Sequence, residues 1–336
     1  MDTVTQALLG GAVAYTVAGK QSSRKAVAWG AIIAVLPDLD IFIAYNSDLT
    51  AFTQHRSWSH SWLIQSLLAP FLAYLLFRID QSFSKLTWLK LVWLALVTHS
   101  ALDALTVYGT QLFWPLMPSP ISGGSIFIID PTYSIPLLIG ILSILIKPHS
   151  LLARKTLLSS FIFSCCYLIW GLMMQQLITT QVRNDLLVQN IHFNNVQISA
   201  TPFNTLLWKV LVIDDQYYYQ SFRSVFDKEK TFKFSRYNRH PELISLTESV
   251  PALQRLDWFT SGFFALDKQQ QKIIAKDLRM GVEPNYFFQF QIATMANKKV
   301  TALIPNRIKS DRETRKNLRK LWQRIWVSPQ TNQQEY

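Results

Sequence analysis

Four short stretches in the first half of this 336-residue chain gather imidazoles and carboxylates. Asp38 and Asp40 lie in Leu36-Pro37-Asp38-Leu39-Asp40. His55, Arg56, Ser59, His60 and Ser61 lie in one run of seven. His99 and Asp103 lie in His99-Ser100-Ala101-Leu102-Asp103, and Asp130 precedes Pro131. His99 and Asp103 are four apart, so on a helix both project from one face, one turn apart, and can grip one ion as i,i+4 ligand pairs do. Asp38 and Asp40 follow Pro37, a natural helix break. Imidazole and carboxylate without thiolate suits Zn²⁺, Mn²⁺ or Fe²⁺. Each stretch also has a plainer reading. His99 and Asp103 can be a hydrogen-bonded pair between helices, Asp38 and Asp40 turn and cap residues, His55 and Arg56 interfacial side chains, and Asp130 the start of a helix. Three of the six histidines and four of the seven carboxylates before residue 180 fall in these stretches, which favours one shared metal site.

The elements that must position them are apolar. Hydrophobic residues make up 49% and charged residues 16%, against roughly 25% charged in an average soluble domain. There is no Glu before residue 180, and seven carboxylates cannot solvate so long a stretch. Lipid is the expected solvent. Apolar segments run over 4–18, 26–45, 61–79, 88–108, 133–147 and 156–178, and a span needs about 20 apolar residues. Segment 4–18 is rich in Gly and Ala, which suits close helix packing in lipid. Lys20, Arg24 and Lys25, then Arg78, Lys85 and Lys90, then Lys147, Arg154 and Lys155 mark alternate loops as cytoplasmic. The other loops, 38–60 and 109–132, carry one Lys or Arg between them, Arg56. That puts all four stretches, and the chain after residue 180, on the outer side. The N-terminus lacks a basic n-region and is not expected to be a signal peptide. The neighbouring Cys165 and Cys166 imply no disulfide framework.

Residues 181–336 differ in character. Val196–Ala200, Leu206–Ile213, Gln216–Val225, Thr231–Tyr237, Gln270–Ala275, Tyr286–Thr294 and Lys299–Ile304 are predicted strands, rich in aromatic and β-branched residues. Leu246–Phe259 and Arg312–Trp326 are predicted helices. The expected architecture is an α-helical membrane bundle of about five to six membrane helices over 1–180, then a small α+β soluble domain over 181–336. The net charge of +12 is better explained by loop topology and this basic domain than by nucleic-acid binding. Lys309–Arg324 is read as a surface helix with one packed face, with binding to anionic headgroups as the functional alternative. Tyr217-Tyr218-Tyr219 reads as strand. Asp277-Leu278-Arg279 is a weak candidate motif.

Pro37-Asp38-Leu39-Asp40, His55-Arg56 with His60-Ser61, and His99 to Asp103 followed by Thr106 and Gly109 resemble, in order and spacing, the signature of the YdjM-type membrane-bound metal-dependent hydrolases. The resemblance covers roughly 1–145 and implies a bacterial inner-membrane protein. More distantly the family is similar to the zinc-dependent phospholipase C and P1-type nuclease fold, which implies phosphoester hydrolysis by analogy. Many members carry a histidine where this chain has Gln6, a poorer ligand that is expected beside the site. On this reading His55, His60, His99 and Asp103 are ligands, Asp40 a ligand or general base, and Asp38 a ligand or its partner. Arg56 is a phosphate clamp, and Asp130 a further ligand. A metal-activated water would attack an amphiphilic phosphoester, such as a lipid, at the outer membrane face. The alternative is a non-catalytic protein, stabilised by metal, whose soluble domain binds a protein partner. A transporter is disfavoured, since no paired, interrupted helices are visible in two repeats.

Overall fold

The computed structural model describes residues 1–19, 21–229, 231–297, 299–308 and 314–328. Lys20, one of the loop charges, and the first two residues of the predicted helix Arg312–Trp326 lie outside them. The chain forms two units. The first comprises 1–44, 54–123 and 128–170, and the second 45–53, 124–127 and 171–336.

The first unit is helical: α1 (Thr3–Ala18), α2 (Ser23–Val35), α4 (Trp62–Ile79), α5 (Lys85–Ala104), α6 (Pro131–Ile146) and the first part of α7 (Leu151–Val188). Asp2 starts α1 by accepting the Thr5 N–H at 3.0 Å, which satisfies an orphan donor of the first turn. α1 and α2 cross where both lack a side chain. A Cβ on Gly10 would lie 2.3 Å from Gly30 O and 2.2 Å from the Ala34 Cβ, so only glycine permits this approach. The core beneath holds Ala14, Ala18, Ile33, Ala69, Ala73, Trp88, Leu91 and Ala95 from four helices.

The expectation of about five to six membrane helices is corrected. Two of the described helices, α4 and α7, are long and apolar enough to cross a membrane. α1 and α6 have 16 residues each and α2 has 13, short of the roughly 20 that a span needs. Pro37 turns the chain out of α2 into a 3₁₀ segment, Leu36–Phe42. α5 has 20 residues but carries Lys85, Lys90, His99 and Asp103.

The second unit is a β domain with helices. β1 (Asn195–Ala200), β2 (Leu207–Ile213), β3 (Tyr217–Ser224) and β4 (Ser235–Asn238) form an antiparallel sheet in that order. β10 (Lys299–Arg307), β9 (Gln289–Ala296), β6 (Lys272–Asp277) and β5 (Phe264–Gln269) form a second. β7 (Gly281–Val282) and β8 (Asn285–Tyr286) form a small hairpin. The second part of α7 inserts Ile178, Val182 and Leu186 into a core with Ile198, Trp208, Val210 and Val212.

α3 (Asp48–Gln54) brings Phe52 against Phe259, Phe288 and Phe290. The predicted helix 246–259 is two helices, α8 (Pro241–Thr247) and α9 (Pro251–Thr260). Pro251 occupies the first turn of α9, where its missing N–H costs nothing. From Thr314 the predicted basic helix is α10 (Thr314–Trp326).

Candidate metal centre

Three local structures of the first unit deliver the candidate residues. The 3₁₀ segment after Pro37 presents Asp38 and Asp40. The run after α3 passes through Arg56, whose φ of 64° lies in the left-handed region, strained for a non-glycine residue. It then forms a 3₁₀ turn, Trp58–His60, and Ser61 caps α4 by accepting the Ile64 N–H at 3.4 Å. The last turns of α5 carry His99 and Asp103, both fully buried.

Asp38, His60, His99 and Asp103 each turn one ligand atom into a common space, and these atoms all lie within 4.8 Å of one another. His60 Nε2 is 3.0 Å from His99 Nε2, 3.1 Å from Asp103 Oδ2 and 3.4 Å from Asp38 Oδ1. His99 Nε2 is 3.5 Å from both Asp38 Oδ1 and Asp103 Oδ2. Four ligands held tetrahedrally at about 2.0–2.1 Å from zinc stand roughly 3.3 Å apart. The spacing therefore fits a single divalent ion.

The surrounding hydrogen bonds set two of the ligands, His60 and Asp103, in the form a metal needs. A carboxylate only accepts, so the Ser59 hydroxyl donates to Asp40 Oδ2 at 2.6 Å. Its lone pair then takes the His60 Nδ1–H at 2.9 Å. That leaves the lone pair of His60 on Nε2, pointing at the cluster. Gln65 fixes the backbone here by donating to Ser59 O at 2.9 Å and to Ser100 Oγ at 2.6 Å. Asp103 Oδ1 accepts from Gln6 Nε2 at 3.0 Å and pairs with the Met1 amino group, so Oδ2 is the oxygen offered to the cluster. Gln6 also donates to His99 O at 3.2 Å, and it stands beside the ligands.

Asp40 sits in the layer behind. Its Oδ1 lies 2.6 Å from His55 Nδ1, and its Oδ2 accepts the Arg56 N–H at 3.0 Å besides the Ser59 hydroxyl. His55 thus donates from Nδ1 and keeps an accepting Nε2. Burial lowers its pKa from 6.5, aided by the Arg56 charge and opposed by Asp40, so the ring is neutral at pH 7. Arg56 is buried, with Nη1 donating to Thr106 Oγ1 at 3.1 Å and the guanidinium 4.9 Å from the Tyr108 ring centre. Its Nε lies 3.1 Å from Asp103 Oδ2 but is not aligned for a hydrogen bond. We read the contact as Coulombic. Asp130 stands elsewhere: it caps α6 by accepting the Thr132 N–H at 3.0 Å and takes the Tyr167 hydroxyl at 2.9 Å.

Of the seven residues singled out as metal ligands, the structure brings Asp38, His60, His99 and Asp103 to one point. It sets Asp40 and His55 beside them as a pair, and gives Asp130 other work. Sequence reasoning did not find Tyr108, which packs on both Arg56 and His55. Nor did it find the Met1 amino group. Neither carries a motif.

Helices of membrane-spanning length and a buried His/Asp cluster define a membrane protein with a site able to hold a metal ion. The chain belongs to the YdjM inner membrane protein family, whose model matches residues 1–178 and so takes in every residue of the cluster. No curated protein and no solved structure gives a significant match, and the wider likeness to the zinc-dependent phospholipase C and P1-type nuclease fold is not shown.

Proposed function

We propose that this protein is a membrane-bound metal-dependent hydrolase acting on a phosphoester, with an amphiphilic or lipid substrate presented at the outer membrane face. The observation that supports it most is the pairing of a four-atom ligand cluster with a neutral, oriented imidazole next to it. Asp38, His60, His99 and Asp103 would hold the ion, zinc by preference and manganese or iron as alternatives. Such an ion supplies Lewis acidity and a water acidic enough to react near neutral pH. His55, held in one tautomer by Asp40, accepts the proton of the attacking water at Nε2 and returns it to the leaving oxygen. Arg56 places fixed positive charge beside Asp103, where negative charge develops in phosphoryl chemistry. The loop charges favour a second unit outside the cytoplasm, which a reporter fused at the C-terminus would check.

A second reading is favoured by the dense pairing of Asp103 with Gln6, Arg56 and Met1. In that reading the ion is structural, and the second unit binds a protein partner.

Turnover separates the two. We expect metal-dependent hydrolysis of a chromogenic phosphodiester or of phospholipid by the protein in nanodiscs. His55→Ala should lower it roughly 10²–10⁴-fold, the usual contribution of a general acid–base group, while metal content stays unchanged. Equal rates in wild type, His55→Ala and His99→Ala would overturn the hydrolase reading and leave the structural one.

A further inference from the structure

The second unit carries an apolar and basic face that the metal centre does not use. α10 is fixed to the sheet by one side. Ile325 is buried there, Arg324 pairs with Asp227 at 2.6 Å, and the Ser224 hydroxyl donates to Ile325 O at 2.6 Å. Arg319, Trp322 and Trp326 recur at helical spacing along another side. Trp322 is 55% exposed and Trp326 60%. Trp326 stacks on Phe226, itself 52% exposed, with ring centres 5.2 Å apart. Between α10 and the 202–204 turn runs a groove of about 420 Å³, walled by Phe203, Leu318, Leu321 and Trp322 and edged by Arg319. Phe203 is exposed although its backbone sits at φ 69°, a conformation that costs a non-glycine residue. Exposed aromatics gathered in this number mark a surface that meets something apolar.

We propose that this face docks on the headgroup layer of the membrane and prefers anionic lipid. Charge and place both point to this occupant. Arg319 and Lys320 are exposed on the same helix and are complementary to anionic headgroups. Tryptophan favours the interface, where its ring has one apolar and one polar side. Place follows from Gly171 of α7, inside the apolar run 156–178. A Cβ there would meet Ser125 O at 2.6 Å and Thr205 Cγ2 at 3.8 Å. The groove wall at Phe203 and Asn204 adjoins Thr205, and Phe127 packs on Phe203 with ring centres 5.9 Å apart. The face is therefore built next to the part of α7, from Gly171 on, that belongs to this unit and to the end of the apolar run.

The test uses the full chain with Cys165→Ser and Cys166→Ser, the two free cysteines, and a single environment-sensitive fluorophore on Gln323→Cys. The protein is placed one copy per nanodisc, in phosphatidylcholine alone or mixed with phosphatidylglycerol. We expect blue-shifted emission, quenched by lipid spin-labelled at headgroup level, and stronger in the anionic mixture. Trp322→Ala with Trp326→Ala should abolish the quenching. Arg319→Glu with Lys320→Glu should weaken it several-fold and remove the lipid preference. Circular dichroism reports that each variant is folded. Emission unaffected by lipid and quencher would overturn the proposal. So would a signal that appears only with two copies per disc, which would assign the face to self-association.

Discussion

Buried charges occur in both units, and they are treated differently. In the second, Asp277 Oδ1 accepts from the Arg279 N–H at 2.9 Å and from Nε at 3.0 Å, while Oδ2 accepts from Nη2 at 2.7 Å. Arg279 Nη1 donates to Phe259 O at 3.2 Å. Lys209 donates to Leu278 O and Gly281 O, both at 2.6 Å. Donor meets acceptor throughout. In the first unit, two imidazole nitrogens stand 3.0 Å apart, with carboxylate oxygens around them. Four potential ligand atoms, the Nε2 lone pair of His60 among them, crowd one space there, and a cation would satisfy them together. The contrast teaches that burial and charge alone do not mark a site. A ligand is indicated where acceptors converge and the hydrogen bonds behind them hold them in place. Asp277-Leu278-Arg279, the weak motif of the tail, is on this criterion a closed internal pair.

Removing one carboxylate from each unit should break the comparison if it is wrong. Asp103→Ala and Asp277→Ala each leave a buried cation unpaired, and each should cost about 3–5 kcal/mol of stability. Only Asp103→Ala should lose the rise in melting temperature on adding Zn²⁺, since binding to the folded state alone stabilises it. A lost metal response in Asp277→Ala would erase the distinction. Ser59→Ala sharpens it. Without the hydroxyl between Asp40 and His60, metal affinity should fall roughly 10–100-fold, measured against a chelator, with the fold intact.

A last contrast concerns Lys209, whose pKa burial lowers from 10.5 to about 7. Between those values the unfolded chain holds more protons than the folded one, so stability rises with pH. Relative to Lys209→Met, the wild type should gain up to about 1.4 kcal/mol per pH unit in that window. Below it, where the buried amine is charged, the full burial cost should remain. Unfolding of both proteins from pH 6 to pH 10 reads this, and parallel curves would refute it.

His99 and Asp103 were legible because helical periodicity alone puts them on one face, and a polar pair is conspicuous in an apolar segment. The different placements of Asp38 and Asp40 were not. In the 3₁₀ segment, with about three residues per turn, positions two apart diverge, so Asp38 faces the cluster and Asp40 faces His55. Asp130 and Tyr167 meet only in the tertiary structure. Most strands of the tail were visible from their aromatic and β-branched runs. β5 was missed because it turns into β6 through Gln270 and Gln271, with Gln270 at φ 55°, where no Gly or Asn announces a hairpin. Hydropathy overcounted the membrane helices because apolar packing helices such as α1 and α6 have the same composition as spans and differ in length.

Metal content of the purified protein, measured by mass spectrometry after metal is offered and excess removed, tests the central claim most directly. The account predicts about one divalent ion per chain in the wild type, as a four-ligand site holds. Asp130→Ala and Asp277→Ala should match it, and His60→Ala with His99→Ala should hold almost none while remaining folded. Equal and negligible metal in the wild type and the double variant would contradict the account and leave the cluster as a polar network between helices.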